Sequence, residues 1–208
     1  MKIFLATKNK GKINEFIKLV EGKNMEVLSI LDSEDIPEVV EDGETFEENS
    51  QKKAVEISKY LNMVTISDDS GLCVDYLDGA PGLYSARYSG EDATDEKNID
   101  KLLFDMKNAD NRKAKFVSVV SIAKPNGEVY SFRGEAEGEI LSGRMGTNGF
   151  GYDPVFLSDD LGKSFGVSTS DEKKSVSHRG RAFKKLMEKF DELIKTSDSK
   201  KSFALFKK

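Results

Sequence analysis

Residues 66–75 read ISDDSGLCVD, and the fold turns on how these ten residues are taken. Val64, Thr65 and Ile66 close a β-branched apolar run of the kind that forms a buried strand. Two carboxylates, Asp68 and Asp69, follow side by side, then Ser70 and Gly71, and the chain returns at once to Leu72, Cys73 and Val74. Acids set between two apolar runs are costly unless paired, hydrogen-bonded or bound to a cation. Carboxylates with small oxygen-bearing neighbours suit Mg²⁺, a hard cation that keeps several waters and favours phosphate-bearing partners. The stretch therefore reads either as a metal-assisted site at a strand end or as an acidic β-turn built on Asp69-Ser70-Gly71.

Outward from this stretch, the chain has the means to build a core around it. Its 208 residues fit one large domain or one domain with two lobes, and 38% apolar residues is ordinary for a globular protein. No apolar run is long enough to span a membrane, and the start MKIFLATKNK has no signal-peptide pattern. Cys73 is the only cysteine, which excludes an internal disulfide and fits a reducing cytoplasm. A formal charge of −5 argues against a general nucleic-acid binder, while leaving room for a small anion met by local lysines and a metal.

Upstream, residues 2–6 (KIFLA) read as a short buried strand. A lysine-rich turn, TKNKGK at 7–12, precedes Ile13, Phe16, Ile17 and Val20 at helical spacing, with Gly22 as a stop. A strand, a basic turn and a helix N-terminus offer free N–H groups and a favourable dipole to an anion, although the GxxxxGK[ST] loop is absent. Residues 25–30 read as a second strand. The acid-rich stretch 32–48 ends in Thr45-x-x-Glu48, a capping box for a helix from about 46 to 61. Glu41 precedes the turn pair Asp42-Gly43 and could reach a neighbouring metal from its loop.

Downstream, 79–90 (GAPGLYSARYSG) is a turn-rich loop and 95–106 a helix. Residues 114–123 form a strand covered on both faces. Asn126-Gly127 marks a hairpin, with a return strand at 128–133 and a further short strand near 137–141. The glycine-rich loop 143–154 (GRMGTNGFGYDP) carries Phe150 and Tyr152, either to stack on a flat base or to plug a turn. Residues 164–177 read as a flexible connection, and Ser177 as the N-cap of an amphipathic helix carrying Phe183, Leu186, Met187, Phe190, Leu193 and Ile194. His178 and Arg179 stand at its start, where a ligand would meet both charge and dipole. Alternating strands and helices followed by a meander give an α/β fold with a mixed central sheet, and the lack of GxGxxG excludes a Rossmann dinucleotide fold.

Four collinear segments then carry a resemblance: residues 7–12; EDGETFEEN at 41–49; 67–81 continuing through Ser85-Ala86-Arg87; and GFGYDP at 149–154 with SHRG at 177–180. Together they resemble the inosine/xanthosine triphosphate pyrophosphatases over about residues 2–190. The resemblance implies an elongated mixed sheet flanked by helices, with two lobes around a substrate cleft in residues 1–195, and a homodimer; residues 196–208 read from their lysines and serines as a polar tail. It implies Mg²⁺-dependent hydrolysis of non-standard purine nucleoside triphosphates (ITP, dITP, XTP) to monophosphate and pyrophosphate. By position, Thr7, Lys8, Asn9, Lys10, Gly11 and Lys12 hold phosphates, with Lys8 where the family often has glycine. Asp69 is general base and metal ligand, Glu41 a second ligand (Glu38 and Glu44 lie close by), and Ser70 a substrate contact. Phe150, Gly151, Tyr152, Asp153, Lys173, His178 and Arg179 surround base and sugar.

The chemistry agrees with that mapping. A triphosphate must be neutralised before a nucleophile approaches, which a metal with Lys8, Lys10, Lys12 and Lys173 can do. Lys173, His178 and Arg179 are donors that favour a 6-oxo purine over adenine's amino group. Strand alternation sends Asp68 and Asp69 to opposite sides; the mapping chooses Asp69 for the cleft and leaves Asp68 as a loop anchor. The rival in another class is a module that binds purine triphosphates without turnover, which would need the basic and aromatic loops but not the carboxylates.

Overall fold

The computed structural model describes residues 2–23, 25–32 and 35–204. Seven strands form one mixed sheet in the order β2-β1-β3-β4-β5-β6-β7. The strands are β1 (Lys2–Leu5), β2 (Glu26–Ser29), β3 (Thr65–Val74), β4 (Lys113–Ala123), β5 (Val129–Ile140), β6 (Phe156–Ser158) and β7 (Lys163–Ser164). β1 runs parallel to β2 and β3, and every later pairing is antiparallel. The helices are α1 (Lys10–Val20), α2 (Phe46–Leu61), α3 (Asp95–Asp105), α4 (Ser170–Val176) and α5 (His178–Ala204).

Local chemistry explains most helix starts. Asn9 caps α1 by accepting the Lys12 N–H at 3.2 Å, so the helix begins at Lys10, ahead of the expected start near Ile13. Lys10, Gly11 and Lys12 are thus the first helical turn rather than a loop. Thr45 caps α2 by accepting the Glu48 N–H, as its motif predicts, while the Glu48 carboxylate takes the N–H of Glu44 instead of Thr45. Ser177 Oγ accepts the Gly180 N–H and opens α5.

Three expectations are corrected. β3 does not end before its acids, nor do they form a turn: Asp68, Asp69, Ser70 and Gly71 sit mid-strand, paired with Val120, Val119, Ser118 and Val117 of β4. Polar residues are kept in the strand by partners far along the chain. The two short strands expected at 128–133 and 137–141 are one, β5, because Gly134 does not break it. A Cβ on Gly134 would overlap the His178 carbonyl and crowd Arg181 Cβ (3.0 Å), so the glycine lets α5 lie close on the sheet. The stretch 164–177, expected to be a flexible connection, holds β7, a 3₁₀ turn and α4 with a complete Thr169/Glu172 capping box. Within the polar tail read from 196, the α5 backbone continues to Ala204, and 205–208 lie outside the described residues.

Of four hydrophobic clusters among the described residues, the two largest lie on one face of the sheet. Ile66, Val120 and Ile122 pack with Phe16 of α1 and Phe183, Leu186 and Phe190 of α5. Leu72, Val74, Phe116 and Ile140 pack with Leu102 of α3, Tyr152, Phe156 and Phe165. α2 covers the opposite face of the sheet, where Ser50 Oγ meets Ser67 Oγ at 3.2 Å.

Candidate active site

The site exists because β1 is short. Its last pairing to β3 is Leu5 with Ile66, and the Ile66 carbonyl accepts the Ala6 N–H at 2.8 Å. Further along, the Leu72 N–H is donated to Ser85 Oγ and the Val74 N–H to the Ala80 carbonyl. Between these points the outer edge of β3 has no strand beside it among the described residues. Side chains from both faces reach one cavity of about 340 Å³ around that edge. It lies beyond the carboxyl end of β1, where open α/β sheets place their ligands.

Alternation along β3 gives the two aspartates different surroundings. Asp68, 5% exposed, faces α1 and α5: Lys12 Nζ is 3.2 Å from one oxygen and Arg179 Nε 3.1 Å from the other. These cations hold its carboxyl far below the usual range against burial, so Asp68 is an ionised strut between helices. Asp69 faces α2. Its Oδ2 accepts from Asn49 Nδ2 at 3.1 Å and its Oδ1 from the Ser70 N–H at 2.9 Å. Burial raises its pKa, Glu41 adds to this, and Lys12 and Lys53 oppose it, which makes Asp69 the more basic carboxylate of the pair. Glu41 lines the same cavity, with one oxygen 2.8 Å from Lys53 Nζ.

Opposite these carboxylates, Phe150, Gly151, Tyr152, Asp153, Lys173, His178 and Arg179 line the cavity, as do Thr7, Asn9, Lys12 and Ser70. Lys8 and Lys10 are exposed and Gly11 faces Phe150 from the α1 side, so these three do not line it. Lys173 Nζ is 2.6 Å from Asp153, 3.1 Å from Glu15 and 4.7 Å from the Phe150 ring centre. Arg179 also binds Glu15 and donates to Ser70 Oγ at 3.1 Å. Tyr152 is buried with its hydroxyl donated to the Ser85 carbonyl at 2.8 Å, so Phe150, half-buried, is the ring open to a ligand.

His178 lines the cavity as a buried ring. It stacks on Phe116 with ring centres 4.8 Å apart, and its Nδ1 has no hydrogen-bond partner among the described residues. Burial, with Arg179 and Lys173 beside it, lowers its pKa well below the usual value, so it adds no charge to the α5 N-terminus.

Several site residues went unread in the sequence. Asn49 and Lys53 are one turn apart on α2 and face Asp69 and Glu41. Glu15 lies three residues after Lys12 on α1 and joins Lys173 to Arg179. Helical spacing from Thr45 and Asn9 would have put these polar residues on one face. The line-up of Ser85, Asp95 and Phe116 in the cavity wall depends on tertiary contacts alone.

The fold is an α/β protein whose mixed seven-stranded sheet carries paired carboxylates on β3 and a cation-lined cavity at the open edge of that strand. Residues 3–189 match the family model described as "Ham1 family", and the chain belongs to that family. It is 48% identical over 194 residues to the dITP/XTP pyrophosphatase of Bacillus cereus, covering 91% of this chain and 95% of that protein. It is 45% identical over 202 residues to the protein of the same name from Clostridium perfringens, covering 93% and 99%. The Staphylococcus aureus Ham1 protein structure superposes with a TM-score of 0.83 at 41% identity, covering 92% of this chain and 98% of that one.

Proposed function

We propose that this chain is a nucleoside-triphosphate pyrophosphatase that hydrolyses ITP, dITP and XTP to the monophosphate and pyrophosphate. Relatives named dITP/XTP pyrophosphatase at 45–48% identity over nine-tenths of the chain support this. The observation that carries it is the cavity itself: Asp69 and Glu41 on one side with Lys12 and Lys53, Phe150 and Lys173 on the other.

The oxygen donors fit Mg²⁺. Among the described residues no three His, Cys, Asp or Glu side chains converge to hold a metal. Two carboxylates in one cavity are what Mg²⁺ asks of a protein when substrate phosphates supply further ligands. Asp69 and Glu41 would hold the ion, which when bound withdraws charge from the phosphates and acidifies a water. Asp69, in the cavity beside Glu41, accepts the proton from the attacking water. The water oxygen bonds to the α-phosphorus as the bond from that phosphorus to the α–β bridging oxygen breaks, and pyrophosphate leaves. Lys12 and Lys53, next to Asp69 and Glu41, offset the growing negative charge. At the far end Phe150 stacks on the base and Lys173 donates to its 6-oxo group, exchanging a carboxylate contact for a carbonyl.

The same reading takes residues 1–195 as one domain with two lobes about this cavity, acting as a cytoplasmic homodimer. The single cysteine supports the compartment, and no helix among the described residues is long and apolar enough to cross a membrane. The test is pyrophosphate release from dITP, XTP, GTP and ATP, with and without Mg²⁺, for the native protein and Asp69→Asn. Metal-dependent turnover of dITP and XTP, lost in Asp69→Asn, is expected. Tight binding of these nucleotides without turnover would instead favour the binding module.

A further inference from the structure

We propose that Asn49 is a positioning residue that sets the spacing between Asp69 and Glu41 and thereby the affinity for the divalent cation; this rests on the reading of those two carboxylates as its ligands. Asn49 is 4% exposed, near the start of α2, and uses both ends of its amide. Its Nδ2 donates to Asp69 Oδ2 at 3.1 Å and its Oδ1 accepts the Gly43 N–H at 2.8 Å. The amide orientation is forced. Asp69, when ionised, can only accept and a backbone N–H can only donate, so a flipped amide would be mismatched at both ends. Aspartate at this position would lose the donor and add a repelling charge. Alanine would lose both bonds.

The far end of the bridge is two residues from Glu41. Gly43 comes so near that a Cβ there would stand 2.8 Å from Asn49 Oδ1 and 2.8 Å from Glu48 Cβ. One turn on from Asn49, Lys53 holds Glu41 at 2.8 Å. The first turns of α2 therefore grip both carboxylates: Asp69 directly, and Glu41 through its loop and through Lys53. Each carboxylate keeps lone pairs free for a cation, because Asp69 has one bond on each oxygen and Glu41 has Lys53 on one only. Partners of this kind orient ligands and typically change metal affinity about 10–100-fold when removed.

Mn²⁺ binding followed by electron paramagnetic resonance, without nucleotide, tests this apart from catalysis. Asn49→Ala and Gly43→Ala, which cut the bridge from opposite ends, are each expected to weaken Mn²⁺ about tenfold or more. In turnover, the Mg²⁺ concentration for half-maximal rate should rise while KM for dITP at saturating Mg²⁺ stays near the native value. Ser50→Ala, which removes a neighbouring buried contact from α2 to Ser67, should lower the melting temperature without changing Mn²⁺ affinity. Native Mn²⁺ affinity in folded Asn49→Ala or Gly43→Ala, with loss in Asp69→Asn and Glu41→Gln, overturns the inference and leaves the ligand reading standing. Native affinity in Asp69→Asn and Glu41→Gln as well overturns both.

Discussion

Replacing Asp68 with asparagine removes a charge while keeping the side chain's size, and the structure says what that should cost. Asp68 is buried mid-strand between Lys12 at 3.2 Å and Arg179 at 3.1 Å. In Asp68→Asn, Arg179 keeps Glu15, which already serves Lys173, and Lys12 keeps only the weaker influence of Asp69. Breaking a buried ion pair by removing one partner costs about 3–5 kcal/mol, because the remaining charge stays desolvated. With a urea m-value of about 2 kcal/mol/M, the unfolding midpoint at pH 7 should fall by about 1.5–2.5 M. The assay is urea unfolding followed by circular dichroism, with m unchanged as the check on two-state behaviour. A double-mutant cycle with Arg179→Met sharpens it. Both single variants break the same contact, so the double variant should lose at least about 0.5 kcal/mol less than their sum. A midpoint shift under about 0.5 M, or strict additivity in the cycle, would refute the account of Asp68 as a strut between α1, β3 and α5.

Two further outcomes follow from the packing. His178 is buried and neutral beside Arg179, Lys173, Asp68 and Lys12, with its pKa well below 6.5. Below about pH 6.5 the unfolded chain therefore takes a proton that the folded chain refuses, and stability falls by up to about 1.4 kcal/mol per pH unit. Its contribution is complete above that pH; His178→Leu should flatten the native slope between pH 6.5 and 5 in chemical denaturation, and an equal slope in both would sink the idea. Gly71→Ala would push a Cβ into the Gly82 carbonyl and to 2.7 Å from Ser85 Oγ. A cost of about 3 kcal/mol should lower the melting temperature by about 6–12 °C in calorimetry; a change within 2 °C would show that the segment over β3 yields freely.

Much of the site was legible because its chemistry is local. Thr45 announces its helix, and the residue it caps lies three positions on, whereas the cap at Asn9 went unread. The alternation that separates Asp68 from Asp69 is a property of any strand, and the structure places them on opposite faces as it requires. Resemblance added the identity of the loops, and the cavity does gather Asp69, Glu41, Phe150, Lys173 and Arg179. Two of the misreadings share one cause. Asp68-Asp69-Ser70-Gly71 looks like a turn because its partners are out of view: Asn49 is 20 residues back and Arg179 is 111 ahead. Gly134 looks like a break for the same reason, since the backbone it makes room for belongs to α5.

The division is therefore physical. Periodicity, caps and turn residues act within a few positions, so the order of strands and helices through β4 could be read directly from the chain, while β6, β7 and α4 went unread. Whether a buried carboxylate is a strut or a base depends on which distant cations and donors surround it, and burial in the folded chain sets that balance. Two neighbouring aspartates, identical in sequence terms, become an ionised clamp under α5 and a raised-pKa carboxylate against α2 only when the sheet edge, α1, α2 and α5 come together.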